Sequence, residues 1–159
     1  MKNLKELRLK KGYSQNQTAQ FLHIGSSTVF RWEQGISKPT LFQFIKLCRV
    51  LDCTPAQLVS DFYKNRLPVF DIDGNLITDE NLTDELSACG CCFGIVIPAD
   101  ISPRVSAGDI CFFSFDISPE EGRIVFSSYD NYNGNLCIFK EYDADMQIIA
   151  VCQFLHSTI

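Results

Sequence analysis

Two short sequences of one design, Ser14-x-x-Gln17 and Thr40-x-x-Gln43, fix where helices must begin in the first third of this chain. In each, the hydroxyl can accept the backbone N–H three residues on, and the glutamine can reach back to the N–H of the first residue. Helices are therefore predicted over about 15–22 and from Thr40 onward, the latter with Leu41, Phe44, Ile45, Leu47 and Cys48 as its apolar stripe. An earlier helix, about 2–11, carries Leu4, Leu7 and Leu9 and stops at Gly12. A later one opens at Thr54-Pro55-Ala56-Gln57, with Pro55 at the first helical position, where its missing N–H costs nothing.

Between the second and fourth helices lies "FLHIGSSTVFRWEQG". A tight turn at His23-Ile24-Gly25 is followed by a helix from Ser26 to Gln34, which Gly35 ends. Helical spacing turns Val29 and Trp32 inward and leaves Ser26, Ser27, Phe30 and Arg31 outward. Short polar groups with one Arg suit the base edges of a major groove, where Arg can pair bidentately with guanine.

The pattern changes at Pro68. Strand-like runs follow at Phe93–Ile97, Ile110–Phe115, Arg123–Tyr129, Leu136–Tyr142 and Gln147–Leu155, divided by turns such as Gly108-Asp109, Glu121-Gly122 and Asn133-Gly134. The expected fold class is α+β with two domains. A five-helix bundle over 1–62 and a linker at 63–68 ("YKNRLP") precede a mostly antiparallel β domain over 69–159.

Charge divides the same way. Residues 1–66 carry eleven Lys/Arg against four Asp/Glu, and residues 67–159 carry three against fifteen. A basic module that meets a polyanion is thus joined to an acidic one that does not. The opening "MKNLKELRLKKGYS" lacks the apolar segment of a signal peptide, and no apolar run is long enough to span a bilayer. The expected location is the cytoplasm, with no membrane partner and with the eight cysteines reduced.

The first 60 residues resemble the Cro/lambda-repressor type helix-turn-helix, the XRE family. The resemblance is carried by L-K-E-L-R with K-G, by S-Q with Ala19 and Leu22, by S-S-T-V with R-W-E-Q-G, and by K-P-T-L. It implies base reading by Ser26, Ser27, Phe30 and Arg31. It also implies phosphate contacts by Gln15, Lys38 and Thr40, and a buried Arg8–Glu33 pair tying the first helix to the third. Departures stand at His23, where glycine is usual, at Gly25 in place of a serine cap, and at Thr18 in place of leucine.

The acidic half is similar to the C-terminal domain of LexA-type repressors, through Pro103-Arg104, Gly108-Asp109, Glu121-Gly122 and Lys140 in order. In that family a serine, activated by a lysine, cuts an Ala-Gly bond of the same chain. A serine needs such an adjacent base to attack. Here Asp100 stands at the serine position and Asp73-Gly74 at the target bond. An Asp beside Lys140 would favour the charged amine, so an inert, peptidase-like dimerisation domain with an Asp100–Lys140 ion pair is expected. The protein is then no enzyme and takes no cofactor or metal. Its expected partners are a pseudo-palindromic double-stranded DNA operator, a second copy of itself, and an antirepressor protein or ligand.

Two other readings stay open. A two-residue slip keeps a strand's facing, so Ser102 with Lys140 would form an active self-cleaving dyad. Alternatively, "CGCC" provides Cys89, Cys91 and Cys92 as a thiol or metal sensor. Their spacing is not that of ordinary zinc sites, and free Cys packs well as a small hydrophobe.

Overall fold

The computed structural model describes residues 3–59, 66–81, 86, 90–115, 118–130, 133–141, 143 and 145–156. Its helices are α1 (Leu4–Lys10), α2 (Gln15–Leu22), α3 (Ser26–Glu33), α4 (Leu41–Leu51) and α5 (Pro55–Val59). Both expected capping boxes form. Gln17 N–H donates to Ser14 Oγ at 3.1 Å while Ser14 N–H donates to Gln17 Oε1 at 2.8 Å. The Thr40–Gln43 pair does the same at 3.3 Å each way. Thr54 and Gln57 make a third box ahead of α5, at 3.2 and 2.9 Å.

The helices end as uniformly as they begin. Gly12, His23, Gly35 and Asp52 all lie in the left-handed region, with φ of 75°, 57°, 72° and 51°. The next residue in each case turns its N–H back to a carbonyl five positions earlier. These bonds are Tyr13 to Arg8 (3.1 Å), Ile24 to Ala19 (3.0 Å), Ile36 to Arg31 (2.9 Å) and Cys53 to Cys48 (3.0 Å). This is the Schellman closure, which also brings the two end side chains together. His23 takes the conformation that glycine would adopt without strain.

Seven strands form one sheet: β1 (Arg66–Phe70), β2 (Leu76–Asn81), β3 (Phe93–Val96), β4 (Ile110–Ser114), β5 (Ile124–Ser128), β6 (Asn135–Ile138) and β7 (Gln147–His156). Their order is β2-β1-β3-β4-β7-β5-β6. Every pairing is antiparallel except β1 with β3. The last five strands fall where the alternation of apolar residues and turns predicts them, within a few residues at their ends.

The first two strands correct the linker expected at 63–68. From Arg66 the chain is already in β1, while 63–65 lie outside the described residues. Pro68 sits opposite Asp79 of β2, and β1 meets β3 only at Val69 and Phe70. A residue without an N–H is tolerated where one side of the strand has no ladder to complete.

Helices and sheet share a core. Eight of the eleven residues of α4 are buried, more than the one-sided stripe the sequence suggested, because both the other helices and the sheet pack against it. Its Phe42 ring lies 6.1 Å from Phe126 of β5, which lies 6.4 Å from Phe113 of β4, itself stacked at 5.4 Å on Phe93 of β3. Phe44 meets Phe70 of β1 at 5.4 Å. The polar edge of α4 is fastened to β7: Lys46 Nζ donates to Gln147 Oε1 and Arg49 Nη1 to the Ile149 carbonyl, both at 3.2 Å. Burial pushes the Lys46 ammonium below its ordinary pKa.

Candidate nucleic-acid interface

The surface that matters is built on α3, and its inner side explains its outer one. Val29 is wholly buried and Trp32 nearly so. These anchors leave Ser26, Ser27 and Arg31 exposed and Phe30 at 47% exposure. The His23 turn joins α2 to α3, and Gly25 caps α3 without any side-chain bond. Four side chains of the predicted reading face therefore stand together on solvent.

A buried ion pair holds this helix to the first. Arg8 Nε donates to Glu33 Oε1 at 2.6 Å, with the side chains only 7% and 1% exposed. Arg8 Nη1 also donates to the Tyr13 carbonyl at 2.7 Å. Gln15 Nε2 donates to Glu33 Oε2 at 2.7 Å, a bond between α2 and α3 that nothing in the sequence pattern announces. Burial pushes the Glu33 carboxyl up, but the hydrogen bonds from Arg8 and Gln15, with the Arg8 charge, outweigh it and hold the pKa below the ordinary value.

The remaining predicted contacts are divided. Lys38 is exposed in the α3–α4 loop, whereas Thr40 is half-buried with its hydroxyl accepting the Gln43 N–H as the α4 cap. Thr18, buried where leucine is usual, satisfies its hydroxyl on the Ser14 carbonyl at 3.1 Å.

In the sheet, Asp100 and Lys140 line one cleft of about 670 Å³ with Ile72, Ile101, Leu136 and Cys137. The expected ion pair between them does not form. Asp100 Oδ1 accepts instead from the Ala107 N–H at 2.8 Å, and both residues are exposed, where solvent removes most of the gain from pairing. Ser102 is not among the described residues lining this cleft; its Oγ accepts the Arg104 N–H at 3.3 Å. Nothing joins Ser102 to Lys140. The Asp73-Gly74 position falls in the β1–β2 turn, which Asn75 closes onto Asp71 with bonds of 2.7 and 2.8 Å.

Of the cysteine cluster, Cys89 lies outside the described residues, Cys91 is buried, and Cys92 is half-buried with Sγ 3.5 Å from the Phe113 carbonyl. Among the described residues no group of three or more His, Cys, Asp or Glu is placed to hold a metal ion. None of their helices is long and apolar enough to cross a membrane.

Five helices with an exposed, internally braced third define a nucleic-acid-binding helix-turn-helix. Residues 4–58 match the family model described as helix-turn-helix. That segment, about a third of the chain, is a DNA-binding helix-turn-helix of XRE type. No curated protein matches the chain. Nine chains of solved structures match it, among them two of one enzyme. One is FeII HppE in complex with substrate, form 1, at 15% identity over 93% of this chain and 83% of that one, with a TM-score of 0.35. The other is FeII HppE, at 14% identity over 94% and 86%, with a TM-score of 0.35. Likeness at that level carries no argument about fold or activity.

Proposed function

We propose that the protein is a sequence-specific repressor that binds a pseudo-palindromic operator as a homodimer. Ser26, Ser27, Phe30 and Arg31 read base edges, and Gln15, Lys38 and Thr40 position the helices on phosphate. The carrying observation is the outer face of α3, held in one orientation by buried Val29 and Trp32. A serine pair and an Arg suit donor and acceptor edges, and the exposed Phe30 ring suits a thymine methyl. Gln15 spends one amide N–H on Glu33, and an amide carries two, so the second serves a phosphate.

The acidic half pairs the subunits, because modules of this kind usually act as dimers on half-sites about one helical turn apart. It keeps a peptidase-like cleft without peptidase chemistry. Asp100 has no hydroxyl to attack with, and Ser102 is turned to its own loop. Release from the operator then comes from an antirepressor protein or ligand.

Selection of an operator from random duplexes, followed by Arg31→Ala, tests the reading face. Affinity for the selected site should fall while non-specific binding holds; unchanged affinity would overturn the assignment. Native mass spectrometry before and after incubation at about pH 10, where lysine begins to lose its proton, tests the rest. An intact dimer at both pH values supports the proposal. A monomer, or a fragment pair cut near Gly74, overturns that half of it.

A further inference from the structure

The end of α4 is closed by a Schellman turn in which Asp52 takes the left-handed position and Cys53 N–H returns to the Cys48 carbonyl at 3.0 Å. At the two ends of this closure most helices place apolar side chains in contact. The same closure on α2 has Ala19 and Ile24 at these positions. On α4 both positions are thiols, and both line one cleft.

A cleft of about 290 Å³ opens over this pair, walled by Arg49, Gln57 and Phe115. Cys48 is wholly buried, and Cys53 is buried but for 9% exposure. The two are not equivalent. The neighbouring Cys48 lowers the Cys53 pKa against the opposing effect of burial, whereas burial holds Cys48 well above the ordinary thiol range. Cys53 is thus the more readily ionised of the two, and Cys48 lies behind it.

We propose that Cys53 and Cys48 are a redox-active dithiol, with Cys53 the sulfur that meets a peroxide and Cys48 the one that resolves it. The Cys53 thiolate attacks one oxygen of hydrogen peroxide; the O–O bond breaks, and the departing hydroxide takes up a proton as water. Cys53 is then a sulfenic acid. Cys48 gives up its proton and attacks the Cys53 sulfur, forming the S–S bond as the S–O bond breaks and a second water leaves. Two thiols have lost two electrons, and one peroxide has been reduced to two waters.

The crosslink sits where the helices are fastened to the sheet, between Arg49, bonded to Ile149, and Asp52, bonded to Lys11 Nζ at 2.8 Å. It ties the last turn of α4 to the segment that leads into α5. Cys92 of the "CGCC" cluster lies near enough to push the Cys48 pKa up further.

The test uses the full-length protein, limiting hydrogen peroxide, an N-ethylmaleimide quench and non-reducing tryptic mapping. Trypsin cuts after Lys46, Arg49 and Lys64, so the expected product is peptide 47–49 disulfide-linked to peptide 50–64. Cys111, wholly buried and hydrogen-bonded to Cys152 with its pKa raised, is the internal control. Cys53 should be consumed at least about tenfold faster, since thiolate fraction and exposure set the rate. In Cys48→Ser, the sulfenic acid at Cys53 should accumulate without a crosslink, and in Cys53→Ser, Cys48 should stay reduced. Both variants are checked for folding by the burial of Trp32. Wild-type crosslinks made first through Cys92, or through Cys111 and Cys152, would overturn the proposal, as would equal consumption of all thiols.

Discussion

Gln15 and Glu33 are bonded across the α2–α3 turn at 2.7 Å, and the same carboxylate receives Arg8 from α1. One acidic side chain thus holds three helices at fixed angles. Removing Arg8 leaves that charge buried with only an amide beside it. Arg8→Ala should cost about 3–5 kcal/mol in urea unfolding, and a loss under 1 kcal/mol would show that the pair does not brace α3.

The pH dependence follows from the lowered Glu33 pKa. A group held lower when folded than when unfolded stabilises above its unfolded value and loses that contribution as pH falls through its folded value. Stability should therefore decline below about pH 4.5, the ordinary value for this group. Glu33→Gln should flatten that part of the curve. An unchanged acid limb in the variant would assign the decline to other carboxylates.

Lys38 is exposed beside the reading helix and bonded to nothing in the described structure. On DNA, Lys38→Ala should weaken binding to all sequences alike and reduce the slope of log affinity against log salt by about one. A change confined to one operator sequence would make Lys38 a base reader instead.

Phe42 touches the sheet through Phe126 and is wholly buried. Phe42→Ala should cost about 3–5 kcal/mol. In the wild type, the fluorescence of Trp32, the sole tryptophan, should change together with circular dichroism of the whole chain, because helices and sheet share this core. Separate transitions would show that the contact is not cooperative.

Gly134 lies against the Phe126 ring so closely that an added Cβ would overlap it. Because Phe126 is wholly buried, the ring cannot swing out to solvent. Gly134→Ala should destabilise by about 1–3 kcal/mol, read as a lowered melting temperature. A neutral substitution would mean that the β5–β6 turn shifts freely.

The helices were legible because their starts and stops are written locally. A hydroxyl and a glutamine three apart, or a glycine after an apolar stripe, decide the boundary without reference to the rest of the chain. β1 was hidden because "RLPVF" contains a proline and is buried along most of its length, so it lacks alternation. β2, "LITDEN", is polar for most of its length. The reading face could be placed from Val29 and Trp32 by period alone. The bond from Gln15 to Glu33 spans eighteen residues and depends on how α2 and α3 cross, which no period encodes. The Asp100–Lys140 pair failed for a similar reason: shared lining of a cleft is not contact, and a nearby backbone N–H at Ala107 took the carboxylate.

The covering of α4 by both the helices and the sheet bears on how this protein can be cut and recombined. A fragment ending near residue 62 would uncover Phe42 and Phe44 and strand the Lys46 and Arg49 side chains that β7 receives. Grafted onto a foreign effector region, the helical half would carry a sticky, mismatched seam instead of a clean end. Chimeras built at that boundary must bring β1, β5 and β7 with them, or replace the sheet-facing side of α4 with polar residues.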